Sequence, residues 1–153
     1  MNLVNEAAIL AARRYKKAIG GEELAESIDR VIAGPAKKNK VISAREKEMV
    51  AYHEAGHALV AHLLPNADPP YKVTIVARGH TGGHTRFLPE EETSLVTQNQ
   101  LEARMAAAMG GRAAEELMFY EVTTGAGNDI EQATSIARSM ITKLGMSKKL
   151  GPR

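Results

Sequence analysis

The sequence His53-Glu54-Ala55-Gly56-His57 places two histidines four residues apart in a segment with helical character. Residues four apart lie on the same face of an α-helix, so both imidazoles can reach one metal ion. Glu54 lies at the edge of that face, where its carboxylate can take a proton from a metal-bound water. The pattern therefore predicts a zinc-dependent hydrolytic centre that is built on one helix.

The segment around this motif has the start and stop signals of a long helix. Residues 43–46 form a capping box with Ser43 at the N-cap, and Pro65 ends the helix after Leu64. The motif therefore lies in mid-helix. Gly56 in a helix interior costs about 1 kcal/mol relative to alanine, which indicates that another backbone approaches closely there.

Composition excludes several classes of protein. The chain has 20 basic and 18 acidic residues, and this balance does not point to a nucleic-acid-binding protein. There are no cysteines, so any metal must be bound by His, Asp or Glu. No apolar run approaches the roughly 18 residues of a membrane helix, and the start has no signal-peptide pattern. These features predict a soluble, cytosolic chain. A weaker alternative, binding to nucleic acid or a membrane surface, would depend on Lys37, Lys38 and Lys40.

The remaining sequence predicts a mainly α fold with one small β-hairpin. Helical spacing predicts helices over 2–18 and 22–33, followed by a polar, basic linker at 36–41. Strands are predicted at 71–77 and 84–88, on either side of a turn at 79–83. A capping box at 97–100 opens a helix that either bends or breaks at the glycine pair 110–111. A loop at 121–127 then leads to a last helix, which begins at Asn128-Asp129 and ends at Gly145.

A catalytic zinc ion usually has three protein ligands, and other histidines fit the third position poorly. The extended motif H-E-x-x-H-x-x-G-x-x-H is excluded by Val60 and Leu63. His62 follows His57 by five residues and is therefore expected to point away from the metal. His80 and His84 lie in the predicted turn and strand, where histidines are more often solvated.

Carboxylates are the better candidates for the third ligand. Glu115 and Glu116 lie on a predicted helix. Asp129 lies at a helix start after a glycine-rich loop, where a short carboxylate can be presented into a cleft. From the residues alone, Asp129 and the Glu115/Glu116 pair are equally good candidates.

Several stretches together make the sequence resemble the FtsH family of membrane-bound, ATP-dependent zinc metalloproteases. In the peptidase region they are residues 50–58 (VAYHEAGHA), 64–69 (LPNADP), 110–116 (GGRAAEE), 123–130 (TTGAGNDI), 145–147 (GMS) and 150–152 (LGP). Residues 2–8 (NLVNEAA) and 28–35 (IDRVIAGP) are similar to the last helices of the family's ATPase lid. The resemblance covers essentially the whole chain.

The resemblance implies a zincin-like peptidase domain that binds one zinc ion per chain. His53, His57 and Asp129 would be the metal ligands, and Glu54 would be the catalytic base. Glu115 would then support the site rather than bind the metal. The implied reaction is hydrolysis of peptide bonds in unfolded or membrane proteins.

The resemblance also implies an order of parts. Residues 1–35 would end the ATPase lid, 36–41 would be a linker, and 42–153 would begin the peptidase domain. The family forms homo-hexamers on the cytoplasmic face of a membrane and uses ATP. This chain contains no G-x-x-x-x-G-K-[ST] phosphate loop, so we expect it to be a piece of such a protein. The alternative is a catalytically incompetent helical fragment that binds zinc or partner subunits only.

Overall fold

A computed structural model describes residues 2–37, 42–78, 82–89 and 94–151. The chain divides into two compact units. The first unit comprises residues 1–41 and 76–81, and the second comprises 42–75 and 82–153. Across the described ranges there are five α-helices and one two-stranded antiparallel sheet, so the prediction of a mainly α fold is confirmed. No helix in these ranges is long and apolar enough to cross a membrane.

The first unit is a helical hairpin of α1 (Leu3–Arg13) and α2 (Gly21–Ala33). The prediction that the first helix runs to residue 18 is wrong, because Tyr15 has a left-handed φ of 56° that ends helical geometry. Beyond this turn, Lys16 donates a hydrogen bond to the buried Glu23 over 2.7 Å. Gly20 is the N-cap of α2.

Residues 76–78 belong to the first unit and not to the sheet. The predicted strand over 71–77 therefore ends early, at Thr74. Arg78 pairs with Ala36 in an isolated antiparallel bridge, and the N–H of Lys37 donates to the carbonyl of Ala77 over 2.9 Å. The first residues of the predicted linker are thus held by backbone bonds. Its remaining residues, including Lys38 and Lys40, lie outside the described ranges.

The second unit is built on two long helices, α3 (Ala44–Leu63) and α4 (Gln98–Phe119). The predicted caps are confirmed, since Ser43 accepts from the N–H of Glu46 and Thr97 accepts from the N–H of Gln100. Helix α4 continues through the glycine pair as one helix. The helices cross where a methyl on Gly56 would overlap the carbonyl oxygen of Gly110. The close approach that Gly56 indicated is therefore real.

The sheet and the last helix complete the second unit. Strands β1 (Pro70–Thr74) and β2 (His84–Phe87) pair antiparallel, with Val73 opposite Thr85. A short 3-10 helix, Thr124–Ala126, leads directly into α5 (Gly127–Thr142). Gly145 has a φ of 62° where the N–H of Met146 bonds to the carbonyl of Met140, as expected for a helix C-terminus.

Candidate metal centre

His53 and His57 point into the same buried space beside α4. Their exposed fractions are only 8% and 7%, and their Nε2 atoms lie 3.0 Å apart. The two rings meet edge to face, with centroids 4.6 Å apart. This is the arrangement expected of two histidines one turn apart on a helix that aim at a common point.

Asp129 reaches the same point from the first turn of α5. Its Oδ2 lies 3.2 Å from Nε2 of His53 and 3.5 Å from Nε2 of His57. Within the described ranges, His53, His57 and Asp129 are the cluster of three possible metal ligands. The 3-10 helix before α5 turns the chain so that a carboxylate 72 residues after His57 joins the two histidines.

The three atoms have the spacing that a tetrahedral zinc site requires. Two atoms at about 2.0–2.2 Å from zinc, and at a tetrahedral angle, lie about 3.3–3.6 Å apart. The three measured separations, 3.0, 3.2 and 3.5 Å, are close to this range. One face of a zinc tetrahedron therefore fits these residues and leaves a fourth position for water or substrate.

Hydrogen bonds at the far side of each imidazole turn its Nε2 towards the metal position. Nδ1 of His53 donates to Oε1 of Glu115 over 2.7 Å, and Nδ1 of His57 donates to the carbonyl of Ala107 over 2.8 Å. We assign the N–H to Nδ1 because each acceptor is an oxygen. The N–H of Gly111 also lies 3.3 Å from Nδ1 of His57, but a donating Nδ1 cannot accept from it. While the imidazoles are neutral, both Nε2 atoms present lone pairs beside a carboxylate oxygen. Such a site favours a cation, either a metal ion or a proton on Nε2 that hydrogen-bonds to Asp129.

Glu115 supports the site instead of entering the cluster. It is 2% exposed, and its carboxylate also accepts from the backbone N–H of Thr123 over 2.7 Å. The Thr123 hydroxyl donates to Oε1 over 3.2 Å. Glu116, the other carboxylate candidate, is exposed and does not join the cluster.

The protonation of the three cluster residues reflects their mutual contacts. Burial lowers the pKa of His53, but hydrogen bonds with Asp129 and Glu115 outweigh burial and raise that pKa overall. The pKa of His57 is also raised, since bonds to Asp129 and to the Ala107 carbonyl outweigh burial. Burial opposes ionisation of Asp129, yet hydrogen bonds from both histidines lower its pKa to about 2. An ionised Asp129 therefore faces two imidazoles that attract protons or another cation.

Glu54 lies next to the cluster and has the environment of a general base. It is 6% exposed, and burial raises its pKa above the ordinary 4.5. The hydroxyl of Thr85 donates to Oε2 of Glu54 over 2.8 Å, which opposes that rise. A carboxylate with a raised pKa is better matched to proton transfer near neutral pH.

Gly111 leaves open the space where a metal would lie. A methyl group on this residue would be 2.6 Å from Nε2 of His53 and 2.6 Å from Nε2 of His57. Contacts this short exclude a side chain. A glycine on α4 is thus required if both histidines are to reach a metal ion.

Of the other histidines, the two that the structure describes do not join the cluster. His62 is exposed, as the helical spacing predicted, and His84 is half-buried on β2. His80 lies outside the described residues. Sequence reasoning missed Thr85, Ala107, Gly111 and Thr123 as parts of the site. Only the Gly110-Gly111 pair gave a signal, because glycine inside a helix is unfavourable without a packing reason.

Comparison with known proteins gives matches over almost the whole chain. The model of peptidase family M41 matches residues 40–153. The chain is 66% identical over 151 residues to ATP-dependent zinc metalloprotease FtsH 1 of Sphaerobacter thermophilus, covering 99% of this chain and 23% of that protein. It is 65% identical over 151 residues to FtsH 1 of Thermomicrobium roseum, with the same coverage. FtsH of Mycobacterium tuberculosis is 57% identical over 150 residues, covering 98% of this chain and 20% of that protein. The chain thus spans less than a quarter of the length of these curated relatives.

Proposed function

Because the chain belongs to peptidase family M41, we propose that it is the zinc-binding, peptide-hydrolysing part of an FtsH-type protease. His53, His57 and Asp129 hold the zinc ion, and Glu54 is the catalytic base. The observation that carries this proposal is the triangle of ligand atoms, with sides of 3.0, 3.2 and 3.5 Å beside a buried glutamate. The names of the relatives, which are zinc metalloproteases, support the same metal.

Each residue has a defined part in the proposed reaction. A bound zinc ion supplies Lewis acidity and brings the pKa of its water to about 7. Glu54 takes the proton of the attacking water and later gives it to the leaving amine. Glu115 and the Ala107 carbonyl keep the imidazoles in the tautomer that directs Nε2 into the site.

The wider setting is also part of the proposal. The substrates are polypeptides, delivered in an unfolded state by an ATPase ring to which residues 1–35 contribute the last helices. The complete protein is a homo-hexamer at the cytoplasmic face of a membrane, and residues 36–41 link the ATPase and peptidase domains. The term ATP-dependent in the names of the relatives supports the link to an ATPase.

Two measurements on the 153-residue chain test the proposal. After dialysis the chain should retain one zinc ion, and Asp129→Ala should lose it, whereas the exposed neighbour variant Asn128→Ala should not. The zinc-loaded chain should cleave casein, an unfolded polypeptide. Glu54→Gln should lower that rate by about 10²-fold or more and keep the zinc.

A matched control comes from the same helix, where Glu48 is exposed. Glu48→Gln should leave cleavage unchanged. If the chain retains one zinc ion but Glu54→Gln does not change its cleavage of casein, the chain is a zinc-binding module. The proposal that it is an enzyme then fails. If no zinc is retained, the proposed metal site itself is wrong.

A further inference from the structure

We propose that Thr85 is a positioning residue that holds the Glu54 carboxylate in place for proton transfer. The inference rests on the proposed function, since it assigns a role towards the catalytic base. The hydrogen bonds of Thr85 go to Glu54, and not to the metal ligands or to the groups that bond to those ligands. It comes from the β-hairpin, whereas the known parts of the site come from the helices.

The contact is a direct hydrogen bond between a buried glutamate and a half-buried threonine. Oγ1 of Thr85 donates to Oε2 of Glu54 over 2.8 Å, and the Glu54 side chain is shielded from water. A hydrogen bond to an ionised carboxylate is about twice as strong as one between neutral groups. The bond engages one carboxylate oxygen and leaves the other, Oε1, to take the proton of the attacking water.

Two glycines allow the hairpin to come this close to α3. A methyl on Gly83 would lie 3.0 Å from Cγ of Glu54 and 2.6 Å from the carbonyl oxygen of Thr74. A methyl on Gly82 would lie 3.1 Å from Cγ2 of Val50, one turn before Glu54 on α3. Gly83 directly precedes β2, and both it and Thr85 contact α3 at Glu54. The start of the strand therefore packs closely against α3 beside Glu54.

The same hydroxyl also contacts the main chain of the glutamate. Oγ1 of Thr85 lies 3.0 Å from the main-chain carbonyl oxygen of Glu54. A threonine hydroxyl has one hydrogen and two lone pairs, so it can rotate between partners. The two contacts therefore link the side chain and the main chain of Glu54 through one hydroxyl.

Thr85 thus keeps the glutamate in one rotamer. Without the hydroxyl, the carboxylate would have an unpaired oxygen in a buried site and would turn towards water or another donor. A misplacement of about 1 Å at a reacting group can cost about 10²-fold in rate. We therefore expect an effect on kcat and not on KM.

The test compares two substitutions of Thr85 in the zinc-loaded chain. Thr85→Val keeps the shape and removes the hydroxyl, whereas Thr85→Ser keeps the hydroxyl. Thr85→Val should lower kcat at least about tenfold and leave KM unchanged. A positioned general base contributes about 10²–10⁴-fold to the rate, and loss of the hydroxyl should remove a part of that contribution. Thr85→Ser should restore kcat to within about threefold of the unaltered chain. Zinc content should stay at one per chain in both. Thr142→Val, an exposed hydroxyl on α5, is the control.

A second measurement does not depend on activity. Crystal structures of the zinc-loaded chain and of Thr85→Val should show one Glu54 rotamer in the first and a displaced or split carboxylate in the second. An unmoved carboxylate in Thr85→Val overturns the inference even if cleavage is absent from the unaltered chain. Equal kcat values for Thr85→Val and the unaltered chain overturn it as well. In another outcome, the unaltered chain shows no cleavage that depends on Glu54, while the carboxylate is displaced in Thr85→Val as expected. That result contradicts the proposed function and not the role of Thr85.

Discussion

Oε1 of Glu115 accepts a hydrogen bond from Nδ1 of His53 over 2.7 Å, although 62 residues separate these side chains along the sequence. The other oxygen of the same carboxylate accepts from the backbone N–H of Thr123, shortly before the helix that carries Asp129. Glu115 therefore joins the histidine helix to the segment that leads to the third ligand. A carboxylate beside a metal-binding histidine fixes its tautomer and raises its basicity.

Glu115→Gln is expected to weaken zinc binding by about 10–100-fold, because the amide removes the negative charge that acts on His53. A competition titration with a zinc-sensitive dye measures this affinity. Glu116→Gln is the matched control, since Glu116 is adjacent in sequence and exposed. Equal affinities for the two variants would show that Glu115 has no effect on the metal.

Gly111→Ala is expected to reduce bound zinc to well below one per chain. The added methyl would lie 2.6 Å from the Nε2 atoms of His53 and His57, so the rings must move apart. Metal analysis after dialysis measures the zinc, and circular dichroism checks that the chain stays helical. Gly127→Ala adds a methyl with nothing within 4 Å and should retain the metal. Full zinc occupancy in Gly111→Ala would contradict the position assigned to the ion.

Gly56→Ala is expected to destabilise the second unit by about 1–3 kcal/mol or more. Its methyl would overlap the main-chain carbonyl of Gly110 and lie 2.7 Å from Cβ of Ala114, so the two helices must separate. Urea unfolding followed by circular dichroism measures the change. Gly21→Ala, where nothing lies within 4 Å, should not lower stability. A Gly56→Ala chain as stable as the unaltered one would mean that the helices are not in close contact there.

The first unit is expected to lose stability in acid through Glu23. Hydrogen bonds from Lys16 and Arg14 lower the pKa of this carboxylate from 4.5 to about 2, against the opposing effect of burial. Because the folded-state pKa is the lower one, the stabilisation is present above about pH 4.5 and is lost as the pH falls towards about 2. Hydrogen exchange of α2 amides across this range measures it.

Glu23→Gln should remove most of this acid dependence and lower protection at neutral pH. Glu22→Gln is the control, because the Glu22 side chain is 70% exposed and its ion pairs are weakened by solvent. An unchanged pH dependence in Glu23→Gln would assign the acid sensitivity to other groups.

Local signals in the sequence predicted the parts of this protein that depend on neighbouring residues. The i, i+4 spacing of His53 and His57 fixed their common face, and the capping residues Ser43 and Thr97 marked the starts of α3 and α4. These features act within one or two helical turns, so a single sequence is sufficient to predict them. The same local rules failed at Tyr15, whose left-handed φ of 56° ends α1 early.

The tertiary structure decided which distant groups meet at the motif. The residues alone left Asp129, Glu115 and Glu116 open as third ligands. The fold brings Asp129 to 3.2 Å from His53, puts Glu115 behind that ring and leaves Glu116 exposed. Thr85 reaches Glu54 only because the hairpin packs on α3. No local pattern specifies such contacts, since they depend on how separate elements pack. The motif His53-Glu54-Ala55-Gly56-His57 by itself predicted two ligands and a base, and the packing of α4, α5 and the hairpin around it decided which other residues lie beside them.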